Sequence, residues 1–182
     1  NYIVRADAPI VFGVFSPWEI LPATYTKAGI PGMPASPFTQ VFATSVTVNW
    51  ITALNPAYTS YYVEISTDSG FSVSSQTAGW SQFSSNNFTN LVSGPTYYAR
   101  VKARNENAAQ TPYLDLGSFR TGLAAPVLGI PDYTTVGITS VTVNWTDTIN
   151  PNSVTYEAQL STDAFLSISA SSNTVLKNAL LV

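Results

Sequence analysis

Ser45-Val46-Thr47-Val48-Asn49-Trp50 returns, residue for residue, as Ser140-Val141-Thr142-Val143-Asn144-Trp145. In each copy Val, Val and Trp alternate with Ser, Thr and Asn, the period of two that turns one face of a β-strand toward a core. The repetition spreads outward from this strand. Asn55-Pro56 recurs as Asn150-Pro151, Tyr61 as Tyr156, and Ser66-Thr67-Asp68 as Ser161-Thr162-Asp163. From Pro31 to Ser74, 18 of 44 positions are identical at an offset of 95 without a gap. Shared composition does not produce such a match, so the chain is built from a repeated unit.

The same offset carries Tyr2, Arg5, Ala8, Pro17 and Leu21 onto Tyr97, Arg100, Ala103, Pro112 and Leu116. Residues 1–30 therefore read as the last two strands of one repeat, 31–122 as a complete repeat, and 123–182 as the first strands of a further one. Within the complete repeat Val46, Val48 and Trp50 point inward. Tyr61, Val63 and Ile65 alternate with Tyr62, Glu64 and Ser66, and Tyr97, Ala99, Val101 and Ala103 with Tyr98, Arg100, Lys102 and Arg104. Asn55-Pro56, Thr67-Asp68-Ser69-Gly70 and Ser93-Gly94-Pro95 separate these runs with turn-forming residues, and no helical period is sustained. Short strands at regular spacing predict an all-β, antiparallel β-sandwich.

Trp50 on the second strand, Leu91 six residues before Tyr97, and the run Tyr97-Tyr98-Ala99-Arg100-Val101-Lys102-Ala103 together resemble the fibronectin type III family, an immunoglobulin-like sandwich. The resemblance implies tandem fibronectin type III β-sandwich repeats. It also implies that the Tyr97 hydroxyl bonds nearby backbone at a corner, with Trp50, Leu91 and Tyr97 in the core. Gly94-Pro95 departs from the family by reversing a common Pro-Gly turn. The abundance of Thr and Ser is similar to that of repeats in long bacterial surface and secreted proteins, which implies an extracellular or cell-surface location. Function does not follow from so widely used a fold, and no Arg-Gly-Asp motif is present.

Composition narrows the chemistry. Only 9% of residues are charged, so Ser, Thr, Asn, Gln and Tyr must keep the surface wet. The net charge is -3 and the seven cations are scattered apart from Arg100, Lys102 and Arg104, which leaves no electrostatic footprint for nucleic acid. There is no Cys and no His, hence no thiolate nucleophile, no soft metal site and no imidazole base. No apolar run approaches the roughly 20 residues that span a bilayer as a helix. No catalytic, cofactor-binding or metal-ligating residue is assigned, and no enzyme activity or cofactor is expected. Glu64 and Asp68 are the nearest carboxylate pair, but a strand and a turn give no enclosed acid/base geometry; Asp68 and Asp163 fit turn stabilisation through their own backbone.

Other features admit two readings each. Arg100, Lys102 and Arg104 share one outward face, which is either solvated or able to meet an acidic glycan. Tyr62, Trp80 and Phe83 offer a sparse stacking platform for sugar, Tyr61 being assigned to the core. Asn87-Phe88-Thr89 and Asn144-Trp145-Thr146 match the N-glycosylation acceptor, with Asn144 outward by strand parity. Pro9 to Phe15 is apolar where its counterpart, Arg104 to Gln110, is polar, so it is either a protein-contact patch or a buried local turn. Residues 27–37 and 121–132, rich in Gly, Ala and Pro with Asp132 the sole carboxylate, read as dry, semi-rigid connectors with too few ligands for calcium.

These readings favour a non-catalytic extracellular structural protein assembling head to tail into a surface filament, stalk or adhesin. The alternative is a spacer or carbohydrate-binding module of a secreted polysaccharide-degrading enzyme. The expected partner is the chain itself, with surface glycans or proteins as further candidates and no nucleic acid or membrane span. Aligning Leu181-Val182 with Leu91-Val92 and Asn1-Tyr2 with Thr96-Tyr97 puts the break in one turn, so that residues 1–30 of a neighbouring chain would complete residues 123–182 by strand complementation. A window cut from a longer covalent array is the other reading, and a first residue other than Met fits a processed or excised segment.

Overall fold

The computed structural model describes residues 2–6, 15–21, 24–73, 76–147, 149–175 and 179–181. All elements among them are strands. β1 (Tyr2–Val4) and β2 (Glu19–Leu21) pair antiparallel. There follow β3 (Phe38–Thr39), β4 (Val46–Asn49), β5 (Ser60–Ser66), β6 (Gln76–Ser81), β7 (Ser85–Phe88), β8 (Thr96–Arg104) and β9 (Leu114–Arg120). These seven form two antiparallel sheets, ordered β3-β4-β7 and β6-β5-β8-β9. The last five strands are β10 (Val127–Val136), β11 (Val141–Thr146), β12 (Tyr156–Leu160), β13 (Ala170–Thr174) and β14 (Ala179–Leu181). They form a sheet ordered β10-β11-β14 and a separate pair β12-β13.

The core of β3 to β9 is the set of inward positions read from the alternation. Val46, Val48 and Trp50 of the first sheet meet Tyr61, Val63, Ile65, Tyr97, Ala99, Val101 and Ala103 of the second, all buried. Phe88, Leu91, Leu116 and Phe119 close the ends. Each aliphatic side chain so buried contributes about 1.5 to 3 kcal/mol relative to exposure. The rings interlock, with Phe119 4.9 Å from Phe38 and 5.5 Å from Tyr97, and Trp50 6.0 Å from Tyr61. The following strands repeat the last contact, Trp145 lying 5.8 Å from Tyr156.

Three local readings are corrected. Residues 121–132 are not all connector, because β10 begins at Val127 and its pairing with β11 breaks register between Leu128 and Tyr133, around Pro131, which has no N–H to donate. Leu181 faces Thr142 as Asn87 faces Thr47, so Leu181 occupies the place of Asn87 and not that of Leu91. β12 and β13 pair without the register shift that β5 and β6 carry between Tyr62 and Glu64, and the offset stays close to that of the early strands. Likewise Leu21 faces Tyr2 as Phe119 faces Tyr97, in place of the expected match to Leu116; the one-residue bulge of β9 beside Gly117 (φ 86°), absent from the regular pairing of β2, accounts for part of this shift and the length of the connection between the paired strands for the rest.

Candidate functional site

β5 and β8 are central in their sheet, and their outer face carries the cation stripe. The pairing sets Glu64 opposite Arg100 and Tyr62 opposite Lys102, while β6 sets Trp80 opposite Tyr62. The stripe is not a solvated face. Arg100 lies 4.0 Å from the Phe71 ring centre and 4.1 Å from that of Tyr113; Lys102 lies 4.6 Å from Tyr113 and 5.2 Å from Tyr62; Arg104 lies 4.3 Å from Trp80. All of these side chains are half-buried. Such stacking favours a cation over an aromatic face, most strongly where water is partly excluded.

Glu64 is accordingly buried and not outward in any wet sense: its Oε1 accepts the Arg100 Nε–H at 2.6 Å. Tyr113 shares this carboxylate, and its phenol is pushed up to about 12 by burial first, then by its hydrogen bond to Glu64 and the Glu64 charge. Glu64 is therefore committed to structure. Part of the arrangement recurs before residue 20, where the Arg5 guanidinium lies 3.8 Å from the Phe15 ring centre and 4.6 Å from that of Trp18. Phe83 is 75% exposed and stays outside the platform, leaving Tyr62 and Trp80, 5.3 Å apart, as its ring pair.

The other candidates resolve locally. The Asp68 carboxylate accepts the Gly70 and Ser72 N–H groups, and these bonds hold it below its ordinary range, backbone bonding being the main cause. Asp163 accepts the Ser167 N–H and the hydroxyls of Ser161 and Ser167, which bring it down to about 2. No cluster of three metal-ligating side chains occurs among the described residues. Asn144 is half-buried and its amide donates to the Pro131 carbonyl at 2.8 Å, so it is the poorer acceptor for a glycan; Asn87 is exposed on β7. Pro9 to Val14 lie outside the described residues.

The signal that sequence reasoning missed is Asn-Pro. Asn55 brackets the connector before it, accepting the Gly29 N–H at 2.6 Å and donating to the Gly29 carbonyl at 2.9 Å. Asn150 does the same to Ala124, at 2.8 Å in both directions. Asn150 also accepts the Ser93 hydroxyl at 2.8 Å, and both residues are buried. Beside them a Cβ on Gly94 (φ 92°) would fall 2.9 Å from Pro151, so the backbone of β3–β9 presses directly on the next strands there and only Gly fits. At the opposite end, Asn105 donates to the Thr26 carbonyl at 2.9 Å. Because β8 runs between these contacts, the preceding and following connectors attach at opposite poles, separated by roughly 30 Å at about 3.3 Å per strand residue.

At the corner before β8 the Tyr97 hydroxyl accepts the Val92 N–H at 3.0 Å. Residues 35–114 match the model of the fibronectin type III domain. These residues are similar to fibronectin type III domains. Solved structures of similar fold include one from a computer-based redesign of a β-sandwich protein, 23% identical, covering 53% of this chain and 93% of that one with a TM-score of 0.44. A second is the fibronectin type III domain from human KIAA0970, at 15% identity, 53% and 74% coverage and a TM-score of 0.39. A third is titin kinase with its flanking domains, at 13% identity, 66% and 27% coverage and a TM-score of 0.38. No match is found among curated proteins.

Among the described residues the flanking strands form smaller sheets than this sandwich does. In the domain β5 pairs with both β6 and β8; among the described residues β12, its repeat counterpart, pairs with β13 alone, and β1 with β2 alone. Apolar groups that the domain buries are open here: Leu160 is 42% exposed where Ile65 is 0%, and Val4 is 51% exposed where Ala99 is 0%. An apolar groove of about 410 Å³ runs over Trp145, lined by Leu123, Val143, Val154, Tyr156 and Ala158 among others. No helix among the described residues is long and apolar enough to cross a membrane.

Proposed function

We propose that the protein is a non-catalytic, extracellular structural element whose fibronectin type III units stand head to tail as part of a surface filament, stalk or adhesin. The observation that carries this reading is the buried Ser93–Asn150 contact between the complete domain and the strands after it. A hydrogen-bonded, dry junction resists bending, and the Asn clamp recurs at Asn55, so each unit attaches to its neighbour by the same device. Units joined at opposite poles by stiff contacts make a rod, whose length grows with copy number. The reading takes residues 1–30, 31–122 and 123–182 as end, whole and beginning of successive units. Small-angle scattering tests it. The wild type should give one extended maximum dimension and Asn150→Ala a broadened distribution; a wild type that scatters as freely jointed units would sink the reading. Release of the protein by protease treatment of intact cells tests the location.

A second reading, a carbohydrate-binding or spacer module of a secreted polysaccharide-degrading enzyme, is favoured by the Tyr62–Trp80 ring pair flanked by Lys102 and Arg104. Selective retention on an acidic polysaccharide that is lost in Trp80→Ala would support it; equal retention of both proteins would remove it.

A further inference from the structure

We infer that the outer face of β5, β6 and β8 binds a carboxylated polysaccharide, which Lys102 and Arg104 recognise from fixed positions between aromatic rings. The inference rests on the carbohydrate reading and deepens it: recognition moves from the ring faces to the cations, and the ligand is named as a polyuronate.

The site is particular to the complete repeat. Val46, Trp50 and Tyr61 return in the next unit as Val141, Trp145 and Tyr156. Yet where Tyr62 faces Trp80, the next unit sets Glu157 against Asn173. At the 95-residue offset Lys102 and Arg104 match Asp7 and Pro9 of the preceding repeat. The inward set is repeated and the ladder is not, so β12 and β13 pair without it.

A bulge brings Trp80 to this face. Ile65 faces Gln76 and Glu64 faces Thr77, and the same register carried onward would set Gly79 against Tyr62 and turn Trp80 inward with Tyr61. One extra residue between Thr77 and Trp80 places Trp80 opposite Tyr62 instead. Gly79 takes φ 71° there, a conformation that costs glycine little. β12 and β13 carry no such shift.

The ring faces are already occupied. Trp80 has Arg104 at 4.3 Å and Lys102 at 5.6 Å, Tyr62 has Lys102 at 5.2 Å, and Tyr113 has Arg100 at 4.1 Å and Lys102 at 4.6 Å. A sugar stacking on them must displace a cation, so the rings act as spacers. They hold Lys102 and Arg104 on alternate residues of β8, roughly 7 Å apart along the strand. Cations fixed and half-buried in this way lose little side-chain entropy on meeting an anion and are less screened by water.

Charge selects the partner. Of the four cations in residues 31–122, Arg100, Lys102, Arg104 and Arg120, three stand on this face. Glu64 is committed to Arg100, and Asp115, opposite Arg100 on β9, accepts the Gly117 N–H at 2.8 Å. Lys102 and Arg104 make no ion pair among the described residues, so both charges are available. A linear chain with a carboxylate on each sugar meets both at once, and its hydroxyls find those of Ser60 and Tyr62 on the same side of β5.

Isothermal titration calorimetry of the whole chain at low salt tests the site, with polygalacturonate, its fully methyl-esterified form and polyglutamate as probes. Polygalacturonate should bind more tightly than either of the others. Lys102→Gln and Arg104→Gln should each weaken it roughly tenfold, the loss of one hydrogen bond to a charged group. Lys102→Arg should retain binding, and Lys27→Gln, which removes the same charge from the connector, should match the wild type. Thermal unfolding confirms that each variant is folded at the titration temperature. Unweakened binding by both Gln variants, or an equal loss in Lys27→Gln, overturns the site, and tighter binding of polyglutamate makes an acidic protein the partner in place of a glycan. Equal, Trp80-dependent binding of the methyl ester overturns the carboxylate requirement while keeping the carbohydrate reading; binding of neither glycan removes both.

Discussion

Glu64 accepts the Arg100 Nε–H at 2.6 Å with its side chain only 6% exposed, on the face of the sheet that alternation assigns to solvent. Removing one partner of a buried pair strands the other charge. Arg100 keeps 27% exposure, which reduces that cost, so Glu64→Ala should destabilise the domain by about 2 kcal/mol in chemical denaturation. Unchanged stability would show the pair to be incidental.

Tyr113 reports on the same carboxylate. Its phenol sits at about 12, above its ordinary 10, so the neutral form is favoured in the fold. That contribution is fully present below pH 10 and is lost as the pH rises through about 12. Glu64→Gln should lower the Tyr113 midpoint in a nuclear magnetic resonance titration, only partly, because burial remains. A midpoint indifferent to residue 64 would assign the whole shift to burial.

The indole N–H groups of Trp50 and Trp145 are buried without a hydrogen-bond partner, the same condition at the same place in two units. The rings therefore act through packing. Trp50→Ala should cost about 3 to 5 kcal/mol, whereas Trp50→Phe loses no hydrogen bond and should cost about 1 to 2 kcal/mol. Equal losses would reveal a polar role for the indole.

Asn150 is 3% exposed and bonds both backbone groups of Ala124, while Asn55 is only half-buried. Asn150→Ala leaves buried donors and acceptors unmet at about 1 to 3 kcal/mol, and Asn55→Ala should cost less. Thermal unfolding of the two variants checks the order; the reverse order would place the stronger clamp at the first connector.

Asp163 is held at about 2 by the Ser161 and Ser167 hydroxyls and then the Ser167 N–H. A depressed carboxylate stabilises the fold above its ordinary 3.8, and that contribution disappears as the pH falls through about 2. Asp163→Asn should flatten the decline in melting temperature across this window. An equally steep decline in the variant would assign acid sensitivity to other groups.

Alternation is a local property, and the sandwich was legible from it. A residue's parity on a strand depends only on its neighbours in sequence, so Val46, Val48, Trp50, Tyr61, Val63 and Ile65 could be placed inward before any sheet was assembled. The repeat added an independent copy of the same pattern, and the Tyr97 corner reached only five residues back, to Val92. What covers the other face depends on which strand lies alongside. Glu64 is buried by Arg100 and Tyr113, and Lys102 and Arg104 are stacked on Tyr62 and Trp80, because β6 and β8 flank β5 in space although two strands separate β5 from β8 in the chain. Register at β14 and β2 escaped the sequence because bulges and connection lengths change the residue count without changing composition. The sequence by itself determined the strand class, the inward set and the repeating unit. Only the tertiary structure decided which cations are stacked and that Asn55 and Asn150 clamp the connectors, since each of these depends on long-range pairing that parity along one strand does not encode.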